Sequence, residues 1–106
     1  MNERLTEILR ELDRHLRALY GDRLLKTVVY GSQARGDARP WSDIDVAVVL
    51  QGPVDRFAEL HRSGGVVADL SLRYSTVIHC KFVDEESLAK GDRPLVRSIL
   101  KEGIPV

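Results

Sequence analysis

Apolar residues near the start of the chain recur at three- and four-residue spacing: Leu5, Ile8, Leu9, Leu12, Leu16 and Leu19. That is the helical period, so the pattern predicts an amphipathic helix over residues 3–20, with charged side chains on its outer face. Gly21-Asp22 ends it. Leu24 to Tyr30 is rich in Leu and Val and predicts a strand, broken by Gly31-Ser32. Residues 32–36 predict a short helical turn with Ser32 as N-cap, followed by a loop built on Gly36, Asp37 and Pro40. Asp43 to Leu50 alternates with period two. Ile44, Val46, Val48 and Leu50 share one face, and Asp43, Asp45, Ala47 and Val49 share the other.

Gln51-Gly52-Pro53 is a turn, and residues 54–75 read as helical, with Phe57, Leu60, Val67, Leu70 and Tyr74 on one stripe. Gly64-Gly65 predicts a bend or break in the middle of that helix. Thr76 to Val83 predicts a third strand, with Ile78, Cys80 and Phe82 facing one way and Val77, His79, Lys81 and Val83 the other. Asp84 caps a short turn through Ala89. Pro94 opens a last helix through Lys101, Gly103 ends it, and Ile104 to Val106 adds a short edge strand. The order of elements implies an α/β (α+β) fold: a two-layer domain spanning residues 1–106, with a small mixed sheet and helices packed on one face. The uncovered sheet face would be the cleft.

Composition narrows the function classes. The 106 residues hold sixteen basic and sixteen acidic side chains, so no bulk charge draws the chain to nucleic acid or to a membrane. No basic recognition helix is present, which argues against specific DNA binding. The lone cysteine, Cys80, excludes an intrachain disulfide and alternates with core residues, so it reads as a small buried side chain. Met1-Asn2-Glu3-Arg4 is no secretory start, and no apolar run is long enough to cross a bilayer, so a cytoplasmic location is expected. A homo-oligomer formed through the first helix is compatible with the pattern.

Chemistry concentrates in two neighbouring segments, Gly31-Ser32-Gln33-Ala34-Arg35-Gly36 and Ser42-Asp43-Ile44-Asp45-Val46. Gly31 lets the backbone approach a ligand closely, and Ser32 offers a hydroxyl and an N–H at a helix start, a natural phosphate seat. Asp43 and Asp45 alternate along a strand, so their carboxylates share a side and repel each other. A cation resolves that repulsion, and oxygen donors favour Mg²⁺. Trp41 and Arg39 sit on the loop that would rim the cleft, with Trp41 expected to pack over the loop. His79, His61 and His15 are expected to play no chemical role.

Those segments, Gly-Ser-x-Ala-Arg-Gly followed by Ser-Asp-Ile-Asp-Val, resemble the signature of the DNA polymerase β-type nucleotidyltransferase superfamily, and the short chain resembles its minimal nucleotidyltransferase (MNT) domains. The resemblance implies transfer of a nucleoside monophosphate, AMP from ATP, to a hydroxyl, with release of pyrophosphate. It implies Gly31 and Ser32 as holders of the β- and γ-phosphates, Arg35 as a loop or phosphate contact, and Asp43 and Asp45 as ligands of Mg²⁺. Two such ions about 3.5–4 Å apart stabilise the attacking and leaving oxygens in enzymes of this kind. The family's third carboxylate, on a later strand, is replaced here by Lys81, which bears on turnover and on the second metal.

The resemblance also implies a partner. Minimal nucleotidyltransferases pair with small all-helical HEPN proteins in toxin–antitoxin systems, with the nucleotidyltransferase as antitoxin. Two functions are therefore expected: adenylylation of such a partner, or a weakly active binding module that neutralises it by contact. A small-molecule transferase ranks behind both, because enzymes of that sort carry a further substrate-binding domain.

Overall fold

A computed structural model describes residues 2–106; Met1 lies outside the described residues. Helix α1 spans Glu3–Tyr20, and its first turn is capped by the Asn2 side chain, which accepts the Leu5 N–H at 2.7 Å. A 3-10 turn over Gly21–Arg23 leads into β1 (Leu24–Tyr30), followed by the short α2 (Ser32–Arg35) and β2 (Ile44–Leu50). Helix α3 (Arg56–Arg73), β3 (Ile78–Asp84), α4 (Glu85–Lys90), α5 (Pro94–Glu102) and β4 (Ile104–Pro105) complete the chain.

The four strands form one mixed sheet in the order β3-β2-β1-β4. Strand β1 runs antiparallel to both β2 and β4, whereas β2 and β3 are parallel. A parallel pair needs a crossover connection, and α3 supplies it. Helices α1 and α3 cover one face. Leu5, Ile8, Leu9, Leu12 and Leu16 of α1 are buried against Val29, Ile44, Val46, Val48 and Phe82 of the sheet. Each such apolar side chain contributes roughly 1.5–3 kcal/mol of burial free energy. The two-layer arrangement expected from the pattern is thus the arrangement seen for the two long helices.

The second face is bare only in part. Val96 and Ile99 of α5 pack with Val28, Tyr30, Ala47, Val49 and Val83 in a smaller core. Their end of the face is closed, and the end carrying Asp45, His79 and Lys81 stays open.

Several local expectations change. Gly31, not Ser32, is the N-cap of α2, and Ser32 is its first helical residue. Strand β2 begins at Ile44, so Asp43 sits just ahead of it. Helix α3 is continuous through Gly64-Gly65. Its inward stripe is Glu59, Ser63 and Leu70, flanked by the partly buried Val66, Val67 and Tyr74, whereas Phe57 is 85% exposed and Leu60 points largely to solvent. On α1, Tyr20 is buried where Leu19 was expected. Among the described residues, no helix is long and apolar enough to cross a membrane.

Candidate active site

The register places one row of residues across three strands. Tyr30 of β1 pairs with Asp45 of β2, and Asp45 pairs with His79 of β3. One step along the same face, Val28 pairs with Ala47 and Ala47 with Lys81. Asp43 approaches this row from the loop before β2, where its Oδ2 lies 2.9 Å from His79 Nε2. The alternation read from the sequence thus brings Asp43, Asp45, His79 and Lys81 to one end of one sheet face.

Gly31 closes the site from the β1 side. Its φ is +75°, and a Cβ built there would lie 2.6 Å from Asp45 Oδ2. Only glycine allows the turn and the carboxylate to come this close. The Gly31 carbonyl then accepts from Ala34 and Arg35 N–H, which starts α2. Gly36 ends α2 in the left-handed region, and its N–H bonds to the Ser32 carbonyl at 3.1 Å. The returning loop is pinned by Arg39 N–H to Ser42 Oγ at 2.9 Å and by Gln33 Nε2 to the Ser42 carbonyl at 3.3 Å. The short loop therefore delivers Asp43 beside Asp45 rather than away from it.

Electrostatics at the row follow from burial. The Asp45 carboxyl is held above its ordinary pKa, chiefly because it is partly withdrawn from water; His79 opposes that shift, and the charge on Asp43 adds to it. Burial pushes the Tyr30 phenol up to about 12, with Asp45 and Glu102 adding to the rise, so Tyr30 stays protonated near neutral pH. Burial likewise pushes the Cys80 thiol up to about 12, which fits its expected place in the core and removes it as a nucleophile.

Such a row implies a divalent cation. Two hard carboxylates at one end of a strand, one of them destabilised by burial and by its neighbour, match the needs of a single Mg²⁺ that keeps phosphate oxygens and water as its other ligands. Among the described residues no third His, Cys, Asp or Glu completes a metal-binding group, and Lys81 stands on the same face. The residues fit one ion better than two.

The structure adds one residue that the sequence did not suggest. Glu102, at the end of α5, accepts the Gly31 N–H at 3.0 Å and the Arg35 guanidinium at 3.0 and 3.2 Å. Arg35 also reaches Asp37 at 3.2 Å. No local motif could have signalled Glu102, because it lies 71 positions from Gly31. His79, expected to be inert, is instead the hydrogen-bond partner of Asp43. Trp41 does not pack over its loop: it is 74% exposed, with the Arg39 guanidinium 5.9 Å from its ring centre. A cleft of about 750 Å³ lies under this loop among Arg4, Gln33, Arg39 and Ser42, and neither Asp43 nor Asp45 lines it. The acidic row lies outside that cleft.

Comparison with known proteins places this geometry. The sequence model of the nucleotidyltransferase domain matches residues 6–105. The chain belongs to the nucleotidyltransferase domain family. This nucleotidyltransferase domain is 32% identical to a candidate protein adenylyltransferase of Methanocaldococcus jannaschii, over 97% of its own length and 96% of that relative. Its fold superimposes on the structure of a minimal nucleotidyltransferase with a TM-score of 0.60 at 27% identity, covering 100% of this chain and 97% of the other. The fold also matches the solved complex of a tri-AMPylated Shewanella oneidensis HEPN toxin with MNT antitoxin, at a TM-score of 0.50 and 16% identity, over 92% of this chain and 70% of that one. The resemblance read from residues 31–46 and the match over nearly the whole chain agree on the family and the fold.

Proposed function

We propose that this nucleotidyltransferase domain transfers AMP from ATP to a hydroxyl of a small all-helical HEPN-type protein, and thereby acts as the antitoxin of a pair. The observation that carries the reading is the Asp45 carboxylate seated against Gly31, with Asp43 beside it on the same open end of the sheet. Such an arrangement couples a turn that accepts phosphate to a pair of acids that accept a cation.

In this reading Gly31 and Ser32 seat the β- and γ-phosphates, and Asp43 and Asp45 hold one Mg²⁺. The ion, when bound, offsets the negative charge of the triphosphate and of the departing pyrophosphate. The partner's hydroxyl oxygen attacks the α-phosphorus, the bond from that phosphorus to the bridging oxygen breaks, pyrophosphate leaves, and the hydroxyl proton passes to solvent. Tyr30 and Ala47 form the wall behind Asp45, and His79 holds Asp43 in place. The adenylyltransferase relative and the AMPylated toxin of the structural neighbour support this choice of nucleotide and acceptor.

Lys81 favours a second reading. It stands one step from His79 on the site face, where the family pattern has a carboxylate, so the proton acceptor for the attacking hydroxyl is missing. On this reading catalysis is weak and the domain neutralises its partner by contact. Labelled ATP, Mg²⁺ and the co-expressed helical partner separate the two. Label on the partner, lost in Asp43→Ala plus Asp45→Ala and increased about tenfold or more by Lys81→Asp, is the expected result. A stable unlabelled complex selects neutralisation by contact, and neither label nor complex overturns both readings.

A further inference from the structure

The Arg35 guanidinium was assigned by resemblance to the loop or to phosphate. The geometry points to a different division of labour: Glu102 is a positioning residue that clamps Arg35 and the Gly31 N–H, so that Arg35 shapes the nucleotide loop and does not itself seat phosphate. The inference rests on the reading of Gly31-Ser32 as the triphosphate seat.

Three observations support the clamp. First, one carboxylate serves both ends of the loop: Glu102 Oε1 accepts Gly31 N–H at 3.0 Å, and both oxygens accept Arg35, at 3.2 and 3.0 Å. Second, Arg35 is already paired on its other side with Asp37, so its charge is met by two carboxylates within the chain. Two of its three nitrogens, Nε and Nη1, are engaged in this way, which leaves Nη2 alone to meet a third anion and lowers the net charge that anion would feel. Third, the segment carrying Glu102 is itself held. Strand β4 pairs with Val28 and Val29, and Val106 N–H bonds to the Thr27 carbonyl at 2.9 Å. Between α5 and β4, a Cβ on Gly103 would lie 2.3 Å from the Ile99 carbonyl oxygen and 2.5 Å from Val28 Cγ1. The chain can pass this close to β1 only with glycine there, and that approach sets Glu102 beside Gly31. The clamp thus ties the site loop to the far end of the chain. Within the Gly31-Ser32 seat it leaves Ser32 as the phosphate donor, with Gly31 contributing the close approach that its missing Cβ allows.

The test is a double-mutant cycle on the full chain, using Mg²⁺-ATP and Mg²⁺-AMP binding, thermal melting and amide hydrogen exchange. Glu102→Ala and Arg35→Ala are each expected to weaken ATP binding by about tenfold, and the double variant by no more than about the same factor, because both break one unit. Glu102→Gln keeps an acceptor for Gly31 N–H and is expected to recover part of the loss while melting with Glu102→Ala, which separates positioning from bulk stability. In the nucleotide-free protein, exchange at Gly31 is expected to rise at least about tenfold in both alanine variants, with α1 amides unchanged. The inference is overturned if Glu102→Ala leaves ATP binding unchanged or strengthens it. A loss in Arg35→Ala that adds to that of Glu102→Ala and disappears for AMP also overturns it, since Arg35 would then meet the phosphates directly. Should the wild type bind no ATP, the proposed function fails while the clamp is still judged by exchange at Gly31: unchanged exchange in the alanine variants overturns it.

Discussion

The two faces of strand β2 show how one short segment is divided between folding and chemistry. Ile44, Val46, Val48 and Leu50 face α1 and α3 and are almost wholly removed from water. On the other face Ala47 and Val49 are equally buried under α5, but Asp45 at the open end keeps a partly desolvated carboxylate opposed by His79 and, more weakly, by Lys81 and Arg35. The first face stabilises the fold at every position. The second stabilises it over half its length and then gives stability up where Asp45 begins. A carboxylate kept partly dry and beside a second acid is costly in the empty protein and useful once a cation arrives.

Truncating the apolar face and neutralising the acid of the other should therefore have opposite signs. The largest loss is expected on the helical side. Leu12→Ala removes a fully buried side chain from α1 and should cost about 2–5 kcal/mol in denaturant unfolding. A cost below about 1 kcal/mol would mean that α1 is loosely packed on the sheet. Next comes α3, where Gly64 and Gly65 sit within an unbroken helix and an added Cβ would meet nothing within 4 Å at either. Gly64→Ala should raise stability by up to about 1 kcal/mol by improving helix propensity alone; a loss would show that the glycine serves a contact inside the fold. The smallest effect is expected on the site face. The Asp45 pKa is raised in the fold, so folding favours its protonated form, and the ionised group withholds stability that returns as pH falls through the folded value. Asp45→Asn should therefore melt slightly higher than wild type near neutral pH without metal, with the difference shrinking in acid. A lower melting temperature would show that the carboxylate is structural.

The same contrast explains what could be read from the sequence. Strands β2 and β3 carry period-two patterns, β1 a run rich in Leu and Val and α1 a helical pattern, and they form within two residues of the expected bounds, β3 starting at Ile78 instead of Thr76. Helix α3 forms where expected and turns Val67, Leu70 and Tyr74 inward as read, but Glu59 and Ser63 take the inward places expected of Phe57 and Leu60. Glu59 and Ser63 occupy core positions because Glu59 pairs with Arg23 at 3.4 Å and lies 3.7 Å from Arg62, and the Ser63 hydroxyl donates to the Glu59 carbonyl at 2.9 Å. Two buried polar residues hide the true stripe from any reading by hydrophobicity, and the apolar Phe57 and Leu60 then supply a false one. At the site, Gly31, Asp43 and Asp45 were legible because one short loop joins them. Glu102 was not, since its contact with Gly31 exists only after β4 has paired with β1. His79 was visible on the right strand face, but its bond to Asp43 depends on the parallel register of β2 and β3, which alternation alone does not reveal.

The proposed function depends most on Asp43 and Asp45 joining a cation to a nucleotide. Calorimetric titration of ATP, with and without Mg²⁺, into the wild type and into Asp43→Ala plus Asp45→Ala addresses this directly. The expected result is binding by the wild type that requires Mg²⁺, and no metal-dependent binding by a double variant that melts at least as high. Equal Mg²⁺-dependent affinity in both proteins would contradict it.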